Sequence, residues 1–127
     1  MGLTGKKILI IEDDKFLAHI LKNYFDDRSF VVETVNDGEN GLKKAASFGP
    51  DLIMLDILMP GMSGIAVLAE LRKAEKTKAT PVIIVSNVDD QILSNRATEL
   101  GASVYFIKAN TSLDVLEGWV NDLLGRS

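Results

Sequence analysis

Two stretches of the chain are apolar without a break, Ile8-Leu9-Ile10-Ile11 and Val82-Ile83-Ile84-Val85. A strand with one wet face alternates apolar and polar residues, so a continuous run demands cover on both faces, as in the middle of a parallel sheet. Strand character of this kind is predicted at Lys7 to Glu12, Phe30 to Val35, Leu52 to Asp56, Val82 to Ser86 and Val104 to Lys108. The segment Phe30-Val31-Val32-Glu33-Thr34-Val35 is more mixed than the rest, which predicts an edge strand. Between the strands the period changes. Phe16, Leu17, Ile20, Leu21, Tyr24 and Phe25 make one helical stripe, and Leu113, Leu116, Val120 and Leu123 make another. Less cleanly amphipathic helices are predicted over roughly Asn40 to Ser47, Gly64 to Glu75 and Asp90 to Leu100, with Gly101 placed to end the last of these.

Strands alternating with helices through short joins imply a parallel sheet with helices on both faces and right-handed crossovers. Such sheets bind ligands beyond the carboxyl ends of their strands. The residues found there are Glu12 and Asp13 after the first strand, Asp56 after the third, Ser86 after the fourth and Lys108 after the fifth, all polar or charged. The second strand ends in Val35-Asn36-Asp37-Gly38, which reads as turn chemistry. Each of the others has an ordinary explanation. Glu12-Asp13-Asp14 can cap a helix, Asp56 can open a turn ahead of Pro60-Gly61, Ser86 can cap a helix, and Lys108 can extend into water. All of these explanations would have to hold together at one end of one sheet. Three carboxylates gathered at one sheet edge need a cation or a proton, because like charges raise one another's pKa. Without sulfur or imidazole nearby, the fitting cation is a hard, oxygen-liganded one, and an open site suits Mg²⁺.

Composition narrows the classes that remain. The 127 residues are 46% hydrophobic and 25% charged, so one folded domain is expected. The absence of cysteine removes disulfides, thiolate metal sites and cysteine nucleophiles, and a single histidine removes poly-histidine sites. A net charge of -4 argues against nucleic-acid binding by this chain, since that binding is driven by neutralising phosphates. The apolar run from Ile8 to Ile11 is too short for a leader or a membrane span, and Lys6 stands where N-myristoylation at Gly2 would want Ser or Thr. A cytoplasmic, membrane-free protein is the expectation.

The residues that end the strands resemble those of the receiver domain of two-component response regulators, the CheY-like family. Met54-Leu55-Asp56-Ile57-Leu58-Met59-Pro60-Gly61-Met62-Ser63-Gly64 resembles the family's loop around its phosphorylated aspartate. Ile8-Leu9-Ile10-Ile11-Glu12-Asp13-Asp14 resembles its acidic first strand end, and Gly101-Ala102-Ser103-Val104-Tyr105-Phe106-Ile107-Lys108 its fifth-strand segment. The resemblance runs from about Lys6 to Leu124, which implies a single receiver domain over residues 1–127 with its core at about 6–124; it implies an α/β, flavodoxin-like, doubly wound (βα)5 three-layer sandwich with a five-stranded parallel sheet in the order 2-1-3-4-5. It implies that Asp56 accepts a phosphoryl group from a histidine kinase or histidine phosphotransfer protein. Asp13, Asp56 and the backbone carbonyl of Leu58 would ligate Mg²⁺, with Glu12 acting through water and Asp14 in support. Lys108 and the hydroxyl of Ser86 would hold phosphoryl oxygens, and Tyr105 would turn inward as the surface of the fourth helix, fifth strand and fifth helix is reshaped. That surface would contact a downstream effector protein or form a homodimer. No turnover is expected beyond Mg²⁺-dependent self-phosphorylation from a donor and slow self-dephosphorylation.

Two positions depart from the family pattern. Ala109 follows Lys108 where the family has proline, so the preceding peptide is either trans or strained. Asn87 follows Ser86 where the family has a small residue, and it either narrows the approach to Asp56 or donates to phosphate. These two departures favour the alternative of a receiver-like interaction module with weakened phosphorylation. An aspartate-based phosphatase of another fold would want an acid two residues after the nucleophile, where Leu58 stands. The side chains that govern hydrolysis in the family fall at Leu58 and Val88, both apolar. His19 reads as a surface residue, and Trp119, Met54, Met59 and Met62 read as packing or loop residues.

Overall fold

The computed structural model describes residues 5–125, so the chain's outermost residues, including Gly2, lie outside the described residues. Strands β1 (Lys7–Ile11), β2 (Val31–Val35), β3 (Leu52–Leu55), β4 (Val82–Ser86) and β5 (Val104–Ile107) form one parallel sheet in the order β2-β1-β3-β4-β5. Helices α1 (Lys15–Asp26), α2 (Gly38–Phe48), α3 (Gly64–Lys73), α4 (Gln91–Glu99) and α5 (Leu113–Leu123) follow them in turn. The expected α/β sandwich and its strand order are therefore observed, with β2 at one edge as its mixed sequence predicts.

Alternation along the strands sorts the sheet into two cores. Leu9, Ile11, Ile53, Leu55, Val82 and Ile84 face one way, packing on Ala45 of α2, Val67, Leu68 and Leu71 of α3 and Ala97 of α4. Ile8, Ile10, Leu52, Met54, Ile83 and Val85 face the other way, onto Leu21 and Phe25 of α1 and Leu116 and Val120 of α5. Continuous apolar runs are thus two interleaved faces, each covered by its own helix layer.

Several boundaries differ from the sequence reading. β1, β3 and β5 each stop one residue early, so Glu12, Asp56 and Lys108 stand just beyond the strands, and β2 starts at Val31. Lys108 opens a short 3-10 turn (Lys108–Asn110) instead of ending the strand. α2 begins at Gly38, two residues before the expected start, with Asp37 as its cap. A side chain at Gly38 would press on Val67, and one at Gly41 on Ile11, so these glycines trade helix propensity for close seating of α2 on α3 and β1. Among the described residues no helix is long and apolar enough to cross a membrane.

Candidate functional site

The carboxyl ends of β1, β3 and β5 bring Glu12, Asp13, Asp56 and Lys108 into one cluster. Carboxylate oxygens of Glu12, Asp13 and Asp56 lie within 4.8 Å of one another. Glu12 and Asp56 are buried, and Asp13 is exposed. The Lys108 Nζ lies 3.0 Å and 3.1 Å from the two Glu12 carboxylate oxygens and 3.5 Å from Asp56 Oδ2. The ammonium therefore rests on Glu12 and only leans towards Asp56.

Burial pushes the Asp56 carboxyl up to about 7, and the charge of Glu12 and a hydrogen bond with it add to this, while Lys108 acts against it. Burial alone would lower the Lys108 ammonium, but its hydrogen bond and charge contact with Glu12, and then Asp56, outweigh that and hold it above its ordinary value. The cluster carries more negative charge than one lysine neutralises, so it is poised to take up a proton or a cation. Oxygen-only donors, one of them open to solvent, fit a hard divalent ion such as Mg²⁺.

The first acidic run divides between a helix cap and the acidic cluster. Asp14 caps α1 by accepting from the Phe16 and Leu17 amides, while Glu12 and Asp13 join the cluster. Glu12 also accepts from the Asp14 amide at 3.1 Å, which ties the loop to its own side chain. Asp56 is fixed from below, where its amide donates to the Ile11 carbonyl at 3.0 Å.

Ser86 is fully buried at the end of β4 and is not a helix cap, since Asp90 caps α4. Leu55 pairs with Ile84, so Ser86 and Asp56 extend adjacent strands. The Ser86 hydroxyl accepts from the Val88 amide at 3.1 Å, and the Tyr105 hydroxyl donates to the Val88 carbonyl at 2.7 Å. Val88 is thus held from both sides by the two residues expected to switch together, with Tyr105 half-buried. Burial raises the Tyr105 phenol, and contact with the Ser86 hydroxyl acts against that rise. Leu58 is 60% exposed in the loop after Asp56, and Asn87 is exposed beside Ser86.

Among the described residues no peptide bond is cis, so the Lys108–Ala109 bond is trans. With Ala109 after it, Lys108 reaches Glu12 and comes within 3.5 Å of Asp56. His19 is exposed and meets the Asn23 amide 3.1 Å away on the same helix, as its surface reading predicts. Met54 is buried, Met59 nearly so, and the Trp119 ring packs edge-on against Phe106.

A family model described as the response regulator receiver domain matches residues 8–118. The chain belongs to the response regulator receiver domain family. The transcriptional regulatory protein CiaR of Streptococcus pneumoniae is 40% identical over 121 residues, which cover 95% of this chain and 52% of CiaR. The alkaline phosphatase synthesis transcriptional regulatory protein PhoP of Bacillus subtilis is 34% identical over 104 residues, covering 82% of this chain and 42% of PhoP. The chain spans about half the length of these curated relatives. The response regulator protein TrrA of Thermotoga maritima, solved in complex with Mg²⁺-BeF, is similar with a TM-score of 0.82 and 31% identity, over 93% of this chain and 98% of that one.

Receiver domains belong to two-component systems, and the acidic cluster sits where the family's loop residues converge. Gly64 shows how tightly the loop is built. It begins α3, its amide donates to the Ile57 carbonyl at 2.8 Å, and a side chain there would collide with the Asp56 carbonyl and the Ile57 backbone. Backbone cannot rotate aside as a side chain can, so Gly64→Ala is expected to cost about 1–3 kcal/mol of stability and to displace Asp56. Gly118→Ala, in a helix with open space around it, is expected to gain about 0.5–1 kcal/mol instead. Thermal unfolding of the two variants checks this pair of signs.

Proposed function

We propose that this receiver is a phosphoryl-accepting switch of a two-component phosphorelay, acting in the cytoplasm with Asp56 as the acceptor. The observation that carries the reading is the convergence of a buried aspartate, two further acids and a lysine at one sheet edge. An Asp56 carboxylate oxygen attacks the phosphorus of a phosphohistidine on a histidine kinase or histidine phosphotransfer protein. A P–O bond forms, the P–N bond breaks, and the imidazole leaves with the electron pair. Glu12 through water, Asp13, Asp56 and the Leu58 carbonyl would hold Mg²⁺, which when bound supplies neutralisation of charge on the phosphoryl oxygens. The complex of the similar TrrA with Mg²⁺-BeF supports such a site here.

The other groups work around the acceptor. Lys108, which rests on Glu12 and lies 3.5 Å from Asp56, would pair with a phosphoryl oxygen as a point charge. The Ser86 hydroxyl bonds another, giving up the Val88 amide, and Tyr105 follows the Val88 carbonyl. The segment leading into α4 is then rearranged, and the surface of α4, β5 and α5 presents itself to an effector protein or to a second copy. CiaR and PhoP are named as transcriptional regulators; the net charge of -4 here supports a readout through protein contact rather than through nucleic acid held by this chain.

Incubation with acetyl phosphate, followed by intact-mass measurement, tests the reading. A single phosphoryl addition is expected with Mg²⁺ and none after chelation. Calorimetric Mg²⁺ affinity is expected to fall about 10-fold or more in Asp13→Asn. Equal incorporation with and without the metal would refute the proposal.

A further inference from the structure

We propose that Asn36 is a positioning residue for the acidic cluster, holding the loop that carries Glu12 and Asp13 in its cation-binding form. The inference rests on the phosphoryl-switch reading above and adds to it a residue whose sequence reads as turn chemistry. The turn does not use it. Asp37 caps α2 by accepting from the Asn40 amide, and its second oxygen accepts from the Asn40 side chain. Asn36 is left with its own side chain turned the other way, and its Nδ2 donates to the Glu12 carbonyl at 3.0 Å.

That bond replaces a rung the sheet no longer provides. The last β1–β2 pair is Ile11 with Val35, after which the Glu12 amide still donates to the Val35 carbonyl at 3.0 Å. The Glu12 carbonyl then finds the Asn36 amide. Both backbone groups of Glu12 are thereby held from β2 and its exit, while its buried side chain holds Lys108 and the Asp14 amide. The Glu12 carbonyl belongs to the peptide that leads directly into Asp13, so its orientation sets where the Asp13 carboxylate starts from. Asp13 is exposed, so beyond its contact with Asp56 the peptide before it bears on where its carboxylate lies.

The platform under Asn36 is rigid enough to serve. α2 starts two residues later and is seated against Ile11 at Gly41 and against Val67 and Met62 at Gly38. Outer groups that orient ligands typically change metal affinity by 10- to 100-fold when removed. A single backbone bond at the rim belongs at the low end of that range.

The test compares wild type, Asn36→Leu, Asn36→Gln and Thr77→Val by two readouts, Mg²⁺ calorimetry and amide hydrogen exchange at Asp13 and Asp14 without metal. Asn36→Leu keeps the volume and removes the donor; Asn36→Gln keeps the amide on a longer arm. Thr77→Val removes the buried hydroxyl bond to the Leu71 carbonyl in the α3–β4 connection, at the opposite end of the sheet, and serves as a purely structural control. Asn36→Leu is expected to weaken Mg²⁺ about 10-fold and to speed exchange at both amides, Asn36→Gln to recover part of each, and Thr77→Val to lower Tm while moving neither. Unchanged exchange at Asp13 and Asp14 in Asn36→Leu overturns the positioning role. So does a Mg²⁺ loss equal to that of Thr77→Val. Absence of Mg²⁺ binding in wild type would count against the phosphoryl-switch reading, while the exchange comparison would still decide for or against Asn36.

Discussion

Asp56→Asn is expected to abolish phosphoryl incorporation from acetyl phosphate or a kinase and, above pH 7, to yield a protein more stable than wild type. The first effect follows because an amide oxygen cannot replace the carboxylate as nucleophile, and Glu12, the other buried acid, already holds Lys108 and the Asp14 amide. The second follows from burial and the charge of Glu12, which push Asp56 up to about 7 from an ordinary 3.8. A carboxyl whose pKa is raised by folding binds more protons in the native than in the unfolded chain. Stability therefore falls as pH rises through the window from about 4 to about 7, and the full cost is present above it. One pKa unit corresponds to about 1.4 kcal/mol, and Glu12 and Lys108 share in the titration, so about 1–3 kcal/mol should be recovered by the uncharged variant at pH 8. At pH 4 position 56 is uncharged in both native proteins and most of the difference should be gone. Mg²⁺ should narrow the gap at pH 8 by stabilising wild type more than the variant. Denaturant melts of both proteins at the two pH values, with intact-mass assays, measure all of this. An Asp56→Asn protein that gains a phosphoryl group elsewhere, or that is less stable than wild type at pH 8, contradicts the assignment.

The same physics explains which parts of the site were legible in sequence. Glu12, Asp13, Asp56, Ser86 and Lys108 each follow a strongly apolar strand, and a parallel βα repeat places all such residues at one edge. Asn36, and the main chain of Val88 as opposed to its side chain, were not legible as working parts. Asn36 acts through a single hydrogen bond to a backbone carbonyl, and an Asn-Asp-Gly run shows turn chemistry whichever way the asparagine points. Val88 works with its main chain, held by Ser86 and Tyr105, so the identity of its side chain says nothing about that role. The early start of α2 was hidden for a related reason. Gly38 and Gly41 are poor helix formers, and only the proximity of Val67 and Ile11 shows why they are there. The one signal available in sequence was that Asp37 suffices to cap the helix, which leaves the residue before it without a local task.

The phosphorylated form should be long-lived, and its lifetime should depend on two side chains that make no polar contact. Hydrolysis needs a water aligned with the phosphorus opposite the Asp56 oxygen, and the loop side chains beside the acceptor decide how well that water is held. Leu58 is 60% exposed there and Val88 is half-buried, and neither can accept or donate a hydrogen bond. Asn87 is exposed between the Ser86 hydroxyl and Val88. Positioned proton acceptors typically contribute about 10² to 10⁴ in rate, so a Leu58→Asn, Val88→Glu double variant should lose its phosphoryl group at least about 10²-fold faster. The switch itself should survive the change, because Ser86 and Tyr105 grip the Val88 amide and carbonyl and not its side chain. Decay of the purified acyl phosphate in excess Mg²⁺, followed by intact mass for both proteins, gives the comparison. A double variant that decays no faster than wild type would remove Leu58 and Val88 from control of the lifetime, and rapid decay of wild type would show that another group already holds the water.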